Sequence, residues 1–296
     1  MNGILIVDKP SDWTSHDVVA KLRGALKIRR IGHGGTLDPM ATGVLPVFVG
    51  RATRAAEFCE NAEKEYIAEL RLGIVTDSQD TTGNILTECV ANVSEKEVSD
   101  VLASFLGPQK QIPPMYSAIK KDGKKLYELA RKGIEVERPA RDITIFAIEL
   151  LDSGDNGRDF KLRIACSKGT YIRTICHDIG AKLGVGGVMS GLRRTRAGIF
   201  TIDNAAGLDE IVSSAALGDV SSLLLPADSF FAELPVVTLS ERDTQKTKNG
   251  ASLSISQPDG RYRFYSPCGE FLMLGSVLNG KSKIIKSFFD PMLTDK

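Results

Sequence analysis

Short hydrophobic runs and alternating segments along the chain predict a sheet. Residues 4–7 and 44–49 are apolar runs of buried-strand length, and residues 64–72 alternate between an apolar and a polar face. The alternating runs 142–151 and 160–166 are separated by a turn rich in Gly and Asp and predict an antiparallel hairpin. Because strands and helices do not alternate regularly, the pattern indicates an α+β fold and not a dinucleotide-binding sheet.

Apolar residues at helical spacing predict helices beside this sheet. Ser15 is the predicted N-cap of the first helix, and Ser94 with Glu97 forms a capping box at the start of another. Further apolar stripes predict helices at residues 172–183 and 208–217. Helices therefore flank the predicted sheet.

The length of the chain favours two domains. Its 296 residues exceed an ordinary single domain, and we place the first domain at residues 1–233, with an insertion at about 108–140. The second domain, residues 234–296, contains short strands separated by Gly-containing turns and is predicted to be a small all-β module. No exposed apolar stripe is evident, so a monomer is expected.

Composition restricts the possible partners. Hydrophobic residues make up 42% and charged residues 25% of the chain, as in soluble globular proteins. The net charge of +1 gives no global nucleic-acid signal, so any such surface must be local. Five scattered cysteines without a C-x-x-C pair, and three histidines, argue against a disulfide framework and a structural zinc site. No segment has transmembrane length, so a reducing, cytoplasmic setting is expected.

Residues 32–49 form the most unusual stretch of the chain. Four glycines between positions 32 and 43 allow positive φ angles and close approach, and Pro39 directs Asp38 towards an extended conformation. The stretch lacks the Gly-Lys-Ser/Thr ending of a phosphate loop and the spacing of a dinucleotide fingerprint. A His and an Asp are thus presented on a shaped loop that a buried strand anchors, although each could be only a turn residue.

Residues 120–133 form the strongest local basic segment, with six positive charges against two negative. Such a run is usually a solvated helix face, but here Tyr116 and Tyr127 lie among the basic residues, which favours RNA contact. The basic end of the first helix, up to Arg30, is compatible with either a solvated face or phosphate contact. Residues 77–100 are acidic and are predicted to be an unlikely RNA face.

Arg173 lies beside the apolar stripe of a predicted helix, in its first turn. It is either a surface arginine or a guanidinium that reaches a carboxylate in a cleft and lowers its pKa. The sequence offers no second acidic residue in a setting comparable to that of Asp38. This argues against a pair of carboxylates as in glycoside hydrolases and favours Asp38 as a nucleophile or electrostatic stabiliser.

Four strings resemble the ordered motifs of the TruB family, the bacterial tRNA pseudouridine-55 synthases. They are Gly32-His33-Gly34-Gly35-Thr36-Leu37-Asp38-Pro39 with Ala41-Thr42-Gly43-Val44-Leu45, Lys64-Glu65-Tyr66, Gly169-Thr170-Tyr171-Ile172-Arg173-Thr174 and Leu192-Arg193-Arg194-Thr195-Arg196-Ala197-Gly198. The resemblance covers most of residues 3–200. It implies a mixed, largely antiparallel sheet core of the pseudouridine-synthase type and a C-terminal PUA-like RNA-binding domain. At Asp12-Trp13 the family often has Gly before the bulky residue, so the local turn is expected to differ there.

The resemblance also implies a role for each matched residue. Asp38 is the expected catalytic nucleophile, Arg173 its ion-pair partner, and Tyr66 the ring that stacks on the target base. Tyr171 is expected to line the uracil site and Leu192 to contact the base. The expected RNA contacts lie in the insertion, which resembles the family's clasp on the RNA stem-loop, and in the last motif: Lys120, Lys121, Lys124, Lys125, Arg131, Arg193 and Arg194.

The implied reaction is the isomerisation of uridine 55 in the T-loop of tRNA to pseudouridine. Asp38 attacks either C1′ of the sugar or C6 of the ring, the N1–C1′ bond breaks, and the uracil turns before C5 bonds to C1′. Nothing is oxidised or hydrolysed, so neither a cofactor nor a metal is expected. The base must leave the loop stack, and His33 is expected to fill the gap, or else to be a structural loop histidine.

Two other functions are compatible with the sequence. One is a tRNA-binding folding chaperone without catalysis, and the other is a guide-RNA-dependent pseudouridine synthase. The basic insertion favours a stand-alone enzyme that holds the T-stem-loop of tRNA by itself.

Overall fold

The computed structural model describes residues 1–154 and 156–289. Within them the helices are α1 (Ser15–Leu26), α2 (Ala56–Glu60), α3 (Glu95–Ala103), α4 (Leu126–Ala130), α5 (Ile172–Lys182), α6 (Leu208–Leu217) and α7 (Glu241–Lys248). The strands are β1 (Gly3–Lys9), β2 (Ile31–His33), β3 (Thr42–Val49), β4 (Lys64–Leu72), β5 (Ile74–Thr76), β6 (Ile85–Glu88), β7 (Gly107–Gln111), β8 (Lys120–Lys121), β9 (Lys124–Lys125), β10 (Arg141–Ser153), β11 (Asp159–Cys166), β12 (Gly187–Ala197), β13 (Phe200–Thr201), β14 (Ala206–Gly207), β15 (Val236–Thr238), β16 (Gly260–Tyr265), β17 (Phe271–Leu278) and β18 (Lys281–Ser287).

A large mixed sheet organises the first part of the chain. Its strand order is β14-β1-β3-β12-β4-β11-β10-β7, with β2 paired to β3 and β13 to β12. The pairs β1–β3, β4–β12, β4–β11, β10–β11 and β7–β10 are antiparallel, whereas β3–β12 and β1–β14 are parallel. The predicted α+β class with a largely antiparallel core is confirmed, and so is the hairpin, although Asp155 of its turn lies outside the described residues.

The sheet is covered on both faces where the strands are most apolar. In β1, Leu5 and Val7 pack with α1 and α6, whereas the alternate residues Ile4 and Ile6 face a separate core on the other side. Helices α3 and α5 cover the half of the sheet that contains β4, β10 and β11. Burial on both faces explains why β1 and β3 are continuous apolar runs in the sequence.

The start of α1 differs from the prediction by one residue. Thr14 is the N-cap: its hydroxyl accepts from the Asp17 amide, and the Asp17 carboxylate accepts from the Thr14 amide. Ser15 is buried, and its Oγ accepts the Leu37 amide at 2.9 Å. The predicted capping residue thus joins α1 to the loop that carries Asp38. Just before it, Asp12 has φ 64°, a left-handed conformation that Asp tolerates better than most non-glycine residues.

The C-terminal sheet has the order β15-β16-β17-β18 and agrees with the predicted β-rich module. The sequence prediction missed α7, which packs only Thr244 and Thr247 inwards and therefore has no apolar stripe. Phe231, before the sheet, packs against Phe58 of the first domain and Phe288 of the module. The end of the predicted second domain, residues 290–296, lies outside the described residues.

No helix in the described ranges is long and apolar enough to cross a membrane. All five cysteines belong to the described part of the chain and are free. Three of them are buried, at positions 59, 166 and 176.

Candidate active site

A cavity of about 850 Å³ opens where five segments meet. They are the start of α1, the loop between β2 and β3, the β5–β6 loop, the insertion, and the start of α5 with the strands behind it. The lining residues that matter here are Asp38, Tyr66, Asp80, Tyr171, Arg173 and Leu192. The volume is that of a small-molecule pocket and accommodates one nucleoside.

Asp38 and Arg173 form an ion pair in this cavity. Arg173 Nε lies 2.9 Å from Asp38 Oδ2, and Arg173 Nη2 lies 3.3 Å from Asp38 Oδ1. The Arg173 side chain is 5% exposed, whereas the Asp38 side chain remains 37% exposed to the cavity. The two residues are 135 positions apart in sequence, and the fold brings them together as the sequence predicted.

The guanidinium of Arg173 is held by several other groups. Nη1 donates to the Ser78 carbonyl at 3.1 Å, and Nη2 donates to the Tyr116 carbonyl at 2.9 Å. Nη1 also lies 3.7 Å from Oδ2 of Asp80. Because these partners fix the plane of the guanidinium, the paired edge that faces Asp38 has a defined orientation.

Asp80 is a second acid in the cavity, contrary to the prediction from the sequence. It is buried, and its Oδ1 accepts hydrogen bonds from the hydroxyls of Ser78 at 2.7 Å and Thr82 at 2.6 Å. Asp77 and Asp80 both line the cavity. The β5–β6 loop thus contributes acidic side chains to the cavity wall, and the expectation that residues 77–100 are an unlikely RNA face stays a prediction.

Burial raises the pKa of the Asp38 carboxyl above its usual range, the Arg173 guanidinium opposes the shift, and Asp80 adds to it. The sequence predicted a lowered pKa from the arginine alone. Desolvation of the Asp38 carboxyl inside the cavity outweighs the arginine and raises the pKa instead. Arg173 is then the main group that keeps the Asp38 carboxylate ionised.

Lys9 and Arg194 fix the loop that carries Asp38. The Lys9 ammonium donates to the carbonyls of Trp13 at 2.6 Å and Pro39 at 3.1 Å, and burial lowers the pKa of Lys9 to about 8. Arg194 donates to the carbonyls of Val44 at 2.7 Å and Gly35 at 3.1 Å, so it ties the two sides of the loop together.

Arg194 is 1% exposed, which contradicts its predicted role as an RNA contact. An arginine next to Arg193 in a basic string resembles a surface cation in sequence, but β12 turns its side chain into the core. Arg193, by contrast, is partly exposed and pairs with Asp8 at 2.8 Å. Gly43, paired with Arg194 in the sheet, has φ 98°, and a Cβ there would lie 2.2 Å from the Arg194 carbonyl oxygen.

Three of the predicted base-binding side chains line the cavity. Tyr66 of β4 is 9% exposed, and burial raises its pKa to about 12, so its hydroxyl is neutral near pH 7. Gln111 holds Tyr171 through hydrogen bonds to both its amide and its carbonyl, at 2.8 and 3.0 Å. Leu192 faces the same space from β12. Together these three side chains give the cavity wall a largely apolar surface.

The fourth predicted residue, His33, lies beside the cavity and not on its wall. Burial lowers the pKa of His33 to about 4, and its Nδ1 accepts the Gly35 amide at 3.4 Å. His16 of α1 does line the cavity, and its ring packs edge-on against His33 with centroids 5.3 Å apart. No sequence pattern singles out His16, because the contact depends on where α1 starts.

The insertion forms part of the cavity wall and contacts Arg173 through the Tyr116 carbonyl. Lys125 and Arg131 flank the Tyr127 ring at 5.3 and 5.5 Å from its centroid, and all three side chains line the cavity. The remaining predicted RNA contacts of this segment are exposed on the β8–β9 hairpin: Lys120, Lys121 and Lys124. Lys125 and Arg131 therefore add positive charge to the cavity wall.

Comparison with known proteins identifies the family. The TruB family pseudouridylate synthase N-terminal domain matches residues 23–172, and the tRNA pseudouridylate synthase B C-terminal domain matches residues 173–232. The chain belongs to the TruB family of pseudouridylate synthases. Among similar TruB proteins, tRNA pseudouridine synthase B of Syntrophomonas wolfei is 44% identical over 94% of this chain and 94% of its own. The same enzyme of Clostridium kluyveri is 41% identical over 97% and 100%.

Solved structures share the TruB fold. A chain of a Cbf5-Nop10-Gar1 complex is 28% identical with a TM-score of 0.74, over 98% of this chain and 85% of that chain. A chain of an H/ACA RNP bound to a substrate RNA containing 2′-deoxyuridine is 26% identical with a TM-score of 0.73, over 98% and 86%. The TruB-family chain is thus a pseudouridine synthase with the fold of that enzyme class.

Proposed function

We propose that this enzyme isomerises uridine 55 in the T-loop of tRNA to pseudouridine, with Asp38 as the nucleophile. The observation that carries the proposal is the Asp38–Arg173 ion pair at 2.9 Å in a cavity of nucleoside size. The relatives named tRNA pseudouridine synthase B, at 41–46% identity, support tRNA as the substrate.

Asp38 begins the reaction as an ionised carboxylate. Arg173 holds it with one edge of the guanidinium, and Asp80 and Ser78 hold the opposite side of that guanidinium. The carboxylate attacks C1′ or C6 of the uridine, and the N1–C1′ bond breaks. Once the uracil has turned, C5 bonds to C1′, the C5 proton is lost, and Asp38 is released.

Tyr66, Tyr171 and Leu192 keep the detached uracil in the cavity while it turns. Removing the base from the loop stack costs a few kcal/mol, and stacking on an aromatic ring returns about 1–3 kcal/mol. The neutral ring of His33 beside the cavity suits the gap that the flipped base leaves in the RNA. The insertion contacts the β5–β6 loop at the cavity wall, where the Tyr116 hydroxyl donates to the Asp77 carboxylate at 3.4 Å.

The substitution Asp38→Asn tests the nucleophile. The amide is nearly isosteric with the carboxylate but is not nucleophilic, so we expect tRNA binding within about threefold of wild type and no pseudouridine. Pseudouridine is measured by nuclease digestion and chromatography, and binding by filter retention. Retained activity would refute Asp38 as nucleophile. A wild-type protein that binds tRNA without making pseudouridine would be the folding chaperone instead.

The similarity to a chain of an H/ACA RNP, which is 26% identical to this chain, keeps a guide-RNA-dependent synthase as the second candidate. Activity on an isolated T-stem-loop of roughly 17 nucleotides distinguishes the two functions. We expect the purified chain to convert its target uridine with no other RNA or protein present. Conversion only after a guide RNA is added would favour the second candidate.

A further inference from the structure

The proposed reaction assigns no role to His16, whose ring packs against that of His33. His16 lies in the first turn of α1, is exposed, and lines the cavity, whereas His33 stands behind it. The two rings meet edge-on, with centroids 5.3 Å apart and planes at 84°. Among residues 1–154 and 156–289, no hydrogen bond to the His16 ring is present, so its face and its nitrogens are open to a ligand.

The backbone of His16 is held rigidly next to the catalytic loop. Ser15, one residue before it, bonds to the Leu37 amide at 2.9 Å and the Leu37 carbonyl at 3.3 Å. The Thr14 and Asp17 capping box fixes the same turn. The backbone of His16 therefore keeps its place relative to Asp38, one residue beyond Leu37, and the ring contacts His33.

His33 supports this ring from behind. Its pKa of about 4 makes it neutral near pH 7, so it adds a polarisable ring and no positive charge. An imidazole ring with a supporting edge-on neighbour is a stacking platform of the kind that unstacked RNA bases occupy. His16 lines the cavity at the start of α1.

We propose that His16 is a substrate-binding residue that stacks on an unstacked loop base directly beside the target uridine, with His33 as its support. The proposal rests on the proposed function, because that function puts a flipped uridine in the cavity. It extends that function by assigning a contact to a neighbouring nucleotide.

The test is a double-mutant cycle that combines a substitution of His16 in the protein with the removal of one base from the RNA. Binding of T-stem-loop RNAs is measured by fluorescence anisotropy, in the Asp38→Asn background so that the RNA is not converted. One loop base on either side of the target is replaced in turn by an abasic site. With His16 present, we expect one of the two replacements to weaken binding about tenfold, the scale of one base–aromatic stack.

With His16→Ala, the intact RNA should bind about tenfold more weakly, and the same abasic replacement should then cost less than about twofold. His16→Phe keeps a ring and should restore most of both effects. Because His16 is exposed, thermal unfolding of the variants should match the parent. An equal abasic penalty with and without His16, or a Phe variant as weak as the Ala variant, would overturn the stacking role.

The proposed function is tested separately, by pseudouridine formation in wild-type protein with the same RNA. Conversion without the coupling would overturn only the role of His16. Coupling without conversion would support that role and count against the proposed reaction. No binding of the RNA by either protein would overturn both.

Discussion

At the scale of single residues, Arg173 is the centre of the site. One guanidinium contacts Asp38, Asp80, Ser78 and Tyr116, which come from three separate segments of the chain. A lysine could hold one or two of these groups but not all, because its ammonium is a point donor without the planar fork. The geometry of Asp38 thus depends on three residues that hold it in place through Arg173.

The pH dependence of the reaction should reveal the effect of Asp80 on the pKa of Asp38. Its negative charge raises the pKa of Asp38, so Asp80→Asn should lower that pKa and move the acid limb of kcat/KM to lower pH. The maximal rate should also fall, since Asn holds Arg173 more weakly. The measurement is kcat/KM against pH on the T-stem-loop.

Asp77→Asn is the matched control, because it removes a carboxylate of the same loop that bonds instead to Asn84 and the Tyr116 hydroxyl. Its acid limb should stay within about 0.3 pH units of wild type. A limb that moves upward in Asp80→Asn, or equally in both variants, would contradict the assignment.

Sequence reasoning found the residues that short motifs carry and missed those that only three-dimensional packing defines. Asp38 and Arg173 stand in strings with specific spacing. Asp80 lies in an acidic loop that looks like solvent-facing sequence, and Arg194 looks like one more surface cation. Whether a charged side chain is buried depends on which elements pack against its segment. The sequence of that segment alone does not specify them.

At the scale of elements, the close approach of β3 and β12 positions the catalytic loop. Gly43→Ala would place a Cβ 2.2 Å from the Arg194 carbonyl oxygen at φ 98°, so the strands must separate. We expect a loss of about 3 kcal/mol or more in the free energy of unfolding, measured by urea denaturation, together with a marked fall in activity.

Gly24→Ala provides the comparison, since a Cβ at this exposed position of α1 meets nothing within 4 Å. It should stabilise the protein by about 0.5–1 kcal/mol through helix propensity. If Gly43→Ala lowered the free energy of unfolding no more than Gly24→Ala does, the pairing of β3 with β12 would not require glycine at position 43.

The β8–β9 hairpin should increase the affinity for tRNA through its positive charge and should not affect the chemical step. Replacing Lys120, Lys121 and Lys124 together by Ala should weaken tRNA binding, and the slope of log K against log salt should fall by about 0.7–0.9 for each phosphate that the variant no longer neutralises. The rate at saturating tRNA should change little. An unchanged slope would show that these lysines do not meet the RNA backbone.

Element prediction succeeded where one face of an element is apolar. The strand at residues 64–72 and the helix at residues 208–217 have the predicted bounds, because alternation and helical stripes report burial directly. The helix α7 was missed because its buried positions are threonines. Its cap, Ser240, which accepts from the Asp243 amide at 3.1 Å, was the available signal.

At the scale of the whole molecule, aromatic side chains join the C-terminal sheet to the catalytic part. Phe231 packs against Phe58, Phe271 and Phe288, with ring centroids 5.0–6.3 Å apart. Arg54 adds hydrogen bonds to the Ser287 and Phe289 carbonyls at 2.9 and 3.0 Å. The module is therefore docked through a shared core and not only through a linker.

Phe231→Ala should cost about 3–5 kcal/mol in the free energy of unfolding, because it opens a cavity at the centre of this cluster. The measurement is urea denaturation followed by circular dichroism. Phe146→Ala, at a side chain that is 48% exposed, should cost less than about 1 kcal/mol. Equal effects of the two substitutions would mean that the cluster does not hold the module in place.

The hydrogen bond from Arg173 to the Tyr116 carbonyl has a consequence for selectivity. The same nitrogen serves Asp38 at 3.3 Å, so any shift of the insertion alters how firmly the attacking oxygen is held. A loose uridine monophosphate fits the cavity but is too small to grip the lysine hairpin. We therefore expect the enzyme to leave free pyrimidine nucleotides unchanged and to react only with an RNA long enough to contact that hairpin.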